Sequence, residues 1–253
     1  MRTVEFGEKN RDVVLLLHGG GLSWWNYRDA AAILGERFHV VLPVLDGHSD
    51  SGEAFVTIEE NAARIIRYVE DHFGGQVLVL GGLSLGGQIA VEMLAQRPGI
   101  AKYALIESAL VSPSQWMAGL IGPTLAMSYG LIRKKWFAKL QFAYLRLPEA
   151  LFEDYFQDTC RIRREDMTAF LKANSTYKIK PELSLTGAKV KIVAGSREQK
   201  NIRDSARLLH KTSPGSSLEI LKGMYHGELS IGAPERYAQM LEELCREADE
   251  NAV

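Results

Sequence analysis

Cysteine is scarce: Cys160 and Cys245 are the only two in 253 residues, and neither has a second Cys or a His nearby at metal-ligand spacing. A disulfide-stapled fold and a Cys/His metal site are therefore not expected; two reduced thiols are the simplest reading, with a single disulfide left open. A charge excess of one sign is missing as well. Thirty basic and 31 acidic side chains leave a net charge of −1, so there is no field to hold a polyanion and nucleic acid is not expected as a partner. Long apolar runs are also lacking. No segment approaches the roughly 18 apolar residues needed to span a bilayer, and the opening "MRTVEFGEKNRD" lacks the apolar core of a signal peptide. A soluble, cytoplasmic protein without a membrane span is expected. Internal repeats and low-complexity stretches are absent too.

What is present is a set of short runs rich in Val, Ile and Leu: 13–18, 39–44, 76–80, 102–107, 189–195 and 217–221, with "TVEF" ahead of the first. Such runs suit strands buried on both faces of a parallel sheet. Between them lie helical patterns. Ile58, Ala62, Ile65, Ile66 and Val69 share a face, with Thr57 and Glu60 at capping-box spacing. Pro234 can open a last helix in which Tyr237, Met240, Leu241 and Leu244 form a stripe. Alternating strand and helix predicts an α/β fold with a doubly wound, mostly parallel sheet, and the length is ordinary for one such core.

The alternation stops over 109–187. This stretch reads as helical pieces broken by Pro113, Pro123, Pro148 and Pro181, and it holds eleven of the 22 aromatic residues. It is read as a helical cap or lid inserted into a core formed by 1–108 and 188–253. A cap of this kind can cover a pocket and dry it. Most of its rings are expected to pack it onto the sheet, and Trp116 and Trp136 are candidates for substrate contact.

"GGLSLGG", residues 81–87, follows the run at 76–80 and precedes a helical pattern. Gly82-Leu83-Ser84-Leu85-Gly86 fits G-x-S-x-G; a chain with 23 glycines can meet that pattern by chance, so the strand-turn-helix context gives it weight. A turn this tight strains the serine backbone and leaves no room for side chains at 82 or 86. At the head of the helix, the free N–H of Leu85 and the positive end of the dipole face any negative charge forming beside Ser84.

At these residues the chain resembles the α/β-hydrolase superfamily, in particular its capped serine esterases, lipases and thioesterase-like members. "HGGG", His18–Gly21, stands after the first long strand, where the resemblance places a second oxyanion donor: the N–H of Gly20, with Gly21 next in line and a possible substrate contact. The family order of Ser, acid, His points to His226 in "GMYHGELS" as general base. His18 is expected to brace its loop, and His39, His72 and His210 carry no such context. His48, in "LDGHSDS", is harder to set aside. For the acid, the chain has Glu198 where the family usually has Asp, three residues beyond Gly195; Glu107 and Asp204 remain open for the role.

The resemblance implies a serine hydrolase that cleaves an ester or thioester of a small, largely apolar acyl substrate through an acyl-enzyme on Ser84. It implies no metal and no organic cofactor. Two alternatives stay open: cleavage of a C–C bond or a lyase reaction on the same Ser–His pair, and a small-molecule receptor that keeps the fold without turnover. Oligomeric state is not readable.

Overall fold

Seven strands form one sheet in the computed structural model, which describes residues 1–249. In chain order the elements of the first half are β1 (Thr3–Phe6), β2 (Val13–Leu17), α1 (Arg28–Leu34), β3 (His39–Pro43), α2 (Ile58–Phe73), β4 (Val77–Leu83), α3 (Leu85–Gln96) and β5 (Ala101–Glu107). Then come four helices in succession, α4 (Gln115–Ile132), α5 (Lys135–Leu145), α6 (Phe152–Arg161) and α7 (Arg164–Thr176). The chain returns to the sheet with β6 (Lys189–Gly195), α8 (Lys200–Thr212), β7 (Ser217–Leu221), α9 (Glu228–Gly232) and α10 (Pro234–Asp249).

The strand order is β1-β3-β2-β4-β5-β6-β7, all parallel except the edge strand β1, which runs antiparallel to β3. Every residue of β2 is buried, which is why its sequence is an unbroken apolar run rather than an alternating one. The two faces of the sheet carry two apolar clusters. One collects Leu15, Leu17, Leu80, Ile106 and Ile192 under α2, α3 and α8; the other collects Val14, Leu16, Val79 and Leu105 under α1 and α10. Thr57 caps α2 by accepting a hydrogen bond from the Glu60 N–H at 3.0 Å.

Two expectations need correction. The strand read as ending at residue 80 continues through Gly81 and Gly82 to Leu83, because pairing with β2 and β5 on both sides holds extended a Gly-Gly segment of low strand preference. Pro123 does not break a helix but lies inside α4. The carbonyl it deprives of a donor belongs to Gly119, four residues back and exposed, so water can serve it.

Winding of the sheet changes direction between β2 and β4: β3 was added on one side of β2, and β4 starts the other side. Loops leaving those two strands part at the carboxyl edge, and the crevice at such a point is where open α/β sheets take ligands. No helix among the described residues is long and apolar enough to cross a membrane.

Candidate active site

Ser84 sits on the turn between β4 and α3 with φ 53° and ψ −112°, a region that costs a non-glycine residue on the order of 1–3 kcal/mol. The surroundings enforce it. Its N–H donates to the Glu107 carbonyl at 2.9 Å, and its own carbonyl accepts from the Gln88 N–H at 2.9 Å. A Cβ on Gly82 would lie 2.4 Å from the Gly86 carbonyl oxygen, and one on Gly86 would lie 2.1 Å from that of Leu17. Gly87 lets α3 approach the sheet, with Ala109 Cβ at 3.1 Å from where its own Cβ would stand. Gly81 is more than a strand end: a side chain there would run into Leu16 and the Tyr237 hydroxyl.

The loop after β2 meets this turn. A Cβ on Gly20 would stand 3.4 Å from Leu85 Cβ, so the two backbones are neighbours, and Leu85 is the first residue of α3 with an N–H that no helical carbonyl receives. Asn26 holds the loop by accepting the Gly19 N–H at 3.0 Å. His18 braces it from behind: Nε2 accepts the Leu45 N–H at 3.1 Å, which leaves Nδ1 to donate to the Gly19 carbonyl at 2.9 Å. Burial holds His18 neutral, its pKa down to about 3. Gly21 has φ 76° and open space around it.

Opposite, Glu198 and His226 stand together. His226 Nδ1 lies 2.7 Å from Glu198 Oε2, with the imidazole 43% exposed and the carboxylate only 1%. The other carboxylate oxygen accepts from the Ser108 hydroxyl at 2.8 Å and from the Gly195 N–H at 2.5 Å. Glu198 is thus held in one orientation, its lone pairs used inside the protein. Gly195 has no side chain because the Met224 carbonyl oxygen lies 2.2 Å from where its Cβ would be; that close approach brings the loop carrying His226 onto the end of β6. Gly227, next to His226, rests on the side chain of Leu83, next to Ser84.

The other two candidate carboxylates lie in different settings. Asp204 is paired with Lys200 at 2.5 Å and Arg207 at 2.9 Å on the surface of α8. Glu107 is fully buried near Tyr27 and Tyr237 and within electrostatic reach of His226 and Glu198, accepts a long 3.4 Å bond from the Ser230 N–H, and has its carboxyl raised to about 7, chiefly by burial. A carboxyl that is half protonated near pH 7 is a weaker partner for an imidazolium than an ionised one.

His48 is buried, its pKa lowered to about 4 by burial, with Nδ1 on the Asp46 carbonyl at 2.9 Å. Its ring stacks on Phe170 of α7 at 4.4 Å and meets the edge of His18. Phe170 is also the aromatic ring beside Gly20. Trp116 and Trp136 stand in solvent, 76% and 59% exposed. Sequence reasoning missed four residues: Ser108, and the α6 residue Asp158 with its partners Trp25, whose Nε1 donates at 2.9 Å, and Ser49, whose hydroxyl donates at 2.7 Å. Asp158 ties the inserted helices to the loops after β2 and β3. On the far side the Tyr177 hydroxyl donates to buried Glu92 of α3 at 3.1 Å, and Lys180 pairs with the same carboxylate.

Solved structures with a similar fold are numerous. An esterase from Thermogutta terrifontis aligns with a TM-score of 0.76 and 21% identity over 97% of this chain and 93% of its own. The enol-lactonase from Burkholderia xenovorans aligns at 0.80 with 13% identity, covering 96% and 95%. A structure from work on carboxylesterases of Nitrososphaera gargenis aligns at 0.74 with 17% identity, covering 98% and 95%. Likeness at these identities shows a common fold. The family model described as "Alpha/beta hydrolase family" matches residues 14–240, nearly the whole chain, and with the strand order and the Ser84 turn this establishes that the chain belongs to the alpha/beta hydrolase family.

Proposed function

We propose that the protein is a serine hydrolase that cleaves an ester, or a thioester, of a small and largely apolar acyl group. The observation that carries this is the 2.7 Å contact between His226 Nδ1 and buried Glu198, on a loop whose Gly227 lies against Leu83, the neighbour of a serine held at φ 53°. Glu198 keeps the proton on Nδ1, which leaves Nε2 free to act as base. Nε2 takes the proton of Ser84 as Oγ attacks the acyl carbon; the carbonyl electrons move onto oxygen, and the N–H groups of Gly20 and Leu85 hold that oxyanion. The tetrahedral species collapses, His226 gives its proton to the leaving group, and the acyl group remains on Ser84. Water, deprotonated by the same imidazole, then releases the acid. Each oxyanion donor contributes about 3 kcal/mol in sites of this kind.

The helices between β5 and β6 act in this reading as a cap over the site. Its support is the Phe170 ring beside Gly20 and Leu85, which makes the wall over the oxyanion loop apolar and suits an apolar acyl chain. The esterase and lactonase neighbours act, by their names, on esters and on an enol lactone, which agrees with acyl transfer to water.

The decisive test is labelling with a serine-directed fluorophosphonate followed by mass spectrometry of the modified peptide. A single tag on Ser84, absent from Ser84→Ala, is expected together with turnover of short acyl esters. A tag elsewhere, or ester turnover that survives in Ser84→Ala, sinks the proposal.

A further inference from the structure

The helices α4 and α5 carry apolar side chains that none of the described residues covers. α4 is 18 residues long and has no charged side chain. A helix apolar all round is ordinarily buried on every side; here only Ala118, Leu125 and Ile132 are buried. These three share one face at i, i+7 and i+14, and α4 packs against α7. On the opposite face, Trp116, Leu120, Met127 and Leu131 fall within one narrow stripe, 76%, 48%, 87% and 38% exposed. α5 repeats the pattern. Ala138 and Phe142 face inward, while Trp136, Leu140 and Tyr144, at i, i+4 and i+8, are 59%, 62% and 79% exposed.

Charge indicates what covers this surface. The chain as a whole is balanced, yet between Glu107 and Glu149 it contains five basic residues, Arg133, Lys134, Lys135, Lys139 and Arg146, and no carboxylate. Arg133 and Lys134 form the turn that joins the two helices, and Lys135 and Lys139 flank the exposed stripe of α5. Lys135 meets Glu153 at 2.7 Å in an exposed pair; Arg133 lies over the Tyr129 ring and Lys139 over that of Phe152, contacts that leave their charge in place. Tryptophan and aliphatic side chains on one stripe, rimmed by Lys and Arg, is the composition of a helix lying in a membrane interface, where rings enter the headgroup layer and cations meet lipid phosphates.

We propose that α4 and α5 dock the protein on an anionic phospholipid surface, without crossing it. The face lies on the helices that the proposed function sets over the site, and docking through it requires no catalysis.

Ser84→Ala protein, which cannot turn over an ester, is floated with vesicles of phosphatidylcholine alone and of phosphatidylcholine mixed with phosphatidylglycerol. Flotation with the mixed vesicles and a blue shift of tryptophan emission are expected. Because Met127 and Leu140 are exposed, Met127→Gln with Leu140→Gln keeps the fold and should lose flotation and blue shift together. Lys134→Gln with Lys139→Gln should weaken binding on the order of 25-fold, about fivefold for each cation removed near the surface, and added salt should mimic it. The proposal is overturned if wild-type side chains at these four positions give no flotation with either vesicle, or if the Met127/Leu140 variant floats unchanged. It is equally overturned if the protein is a dimer in solution that this variant turns into monomer, since a second copy then covers the face.

Discussion

The glycines at the carboxyl edge of the sheet are hemmed in by backbone, and those of α4 touch nothing. A Cβ on Gly82, Gly86 or Gly195 would lie between 2.1 and 2.4 Å from a carbonyl oxygen, whereas at Gly119, Gly122 and Gly130 no foreign atom lies within 4 Å. The same residue thus has a fixed meaning in one region and almost none in the other. At the sheet edge, glycine is required so that main chains converge, the turn of Ser84 against the backbone of Leu17 and His18 and the loop of Met224 against the end of β6. In the inserted helices it marks surface facing outward, free to be shaped by whatever lies outside the molecule.

The largest effect should come from the carboxylate that the edge holds most tightly. Replacing Glu198 by Gln keeps size and much of the hydrogen bonding to Ser108 and Gly195 but removes the charge facing the imidazolium. A loss of about 10⁴-fold in kcat is expected with an unchanged unfolding midpoint. Asp204→Asn, which disturbs only a surface cluster on α8, should leave kcat as it is. A normal rate in Glu198→Gln would return the role of the acid to Glu107 or Asp204.

Gly86→Ala tests the convergence itself. A methyl placed 2.1 Å from the Leu17 carbonyl oxygen has to push β2 and α3 apart, and a loss of more than about 4 kcal/mol in urea unfolding, or failure to accumulate folded protein, is expected. Gly130→Ala, with open space around it and no proline next to it, should instead stabilise α4 by roughly 0.5–1 kcal/mol. If the two alanines had similar effects, the contrast between the regions would be wrong.

Glu107 gives the edge a pH signature. Burial raises its carboxyl from 4.5 to about 7, so the folded protein keeps a proton that the unfolded chain releases in that interval. Its contribution is full below pH 4.5 and is lost as pH rises through 7, by up to about 3 kcal/mol. His18 and His48, lowered from 6.5 to about 3 and about 4 by burial, act with the opposite sign: their contribution is present above 6.5 and is lost as pH falls. Comparing Glu107→Gln with wild type cancels the histidines. The difference in unfolding free energy should change across pH 4.5 to 7; a flat difference would mean that Glu107 is already ionised in the folded state.

How much of this the sequence discloses also divides by region. The central strands β2 and β4 are legible because burial leaves them no polar side chains, and the contact between Glu198 and His226 is legible because each follows a strand at the position where a loop reaches the edge. The extension of β4 through Gly81 and Gly82 is not, since only pairing on both sides keeps that segment extended. Ser108, Asp158 and Phe170 take their meaning from partners far along the chain, 90 residues in the case of Ser108 and Glu198 and 133 in the case of Asp158 and Trp25. In the insertion, helix period is visible, but apolar residues on all sides of α4 hide which face turns inward, and Trp116 and Trp136, read as substrate contacts, lie in solvent.

The two faces of α4 carry the smallest and most local version of the comparison. Leu125 is 8% exposed and belongs to the apolar cluster that includes Ile162, Met167 and Phe170. Truncation to Ala removes three methyl-sized groups from a packed site, with an expected loss of about 2–5 kcal/mol. Met127, two residues on and 87% exposed, already has its side chain in water, so Met127→Ala should change stability by no more than about 0.5 kcal/mol. Urea unfolding of the two variants side by side, at low protein concentration, makes the measurement. Similar losses for both would show that the outer stripe is packed against something even in the isolated protein, and the surface assigned to lipid would then belong to the protein itself.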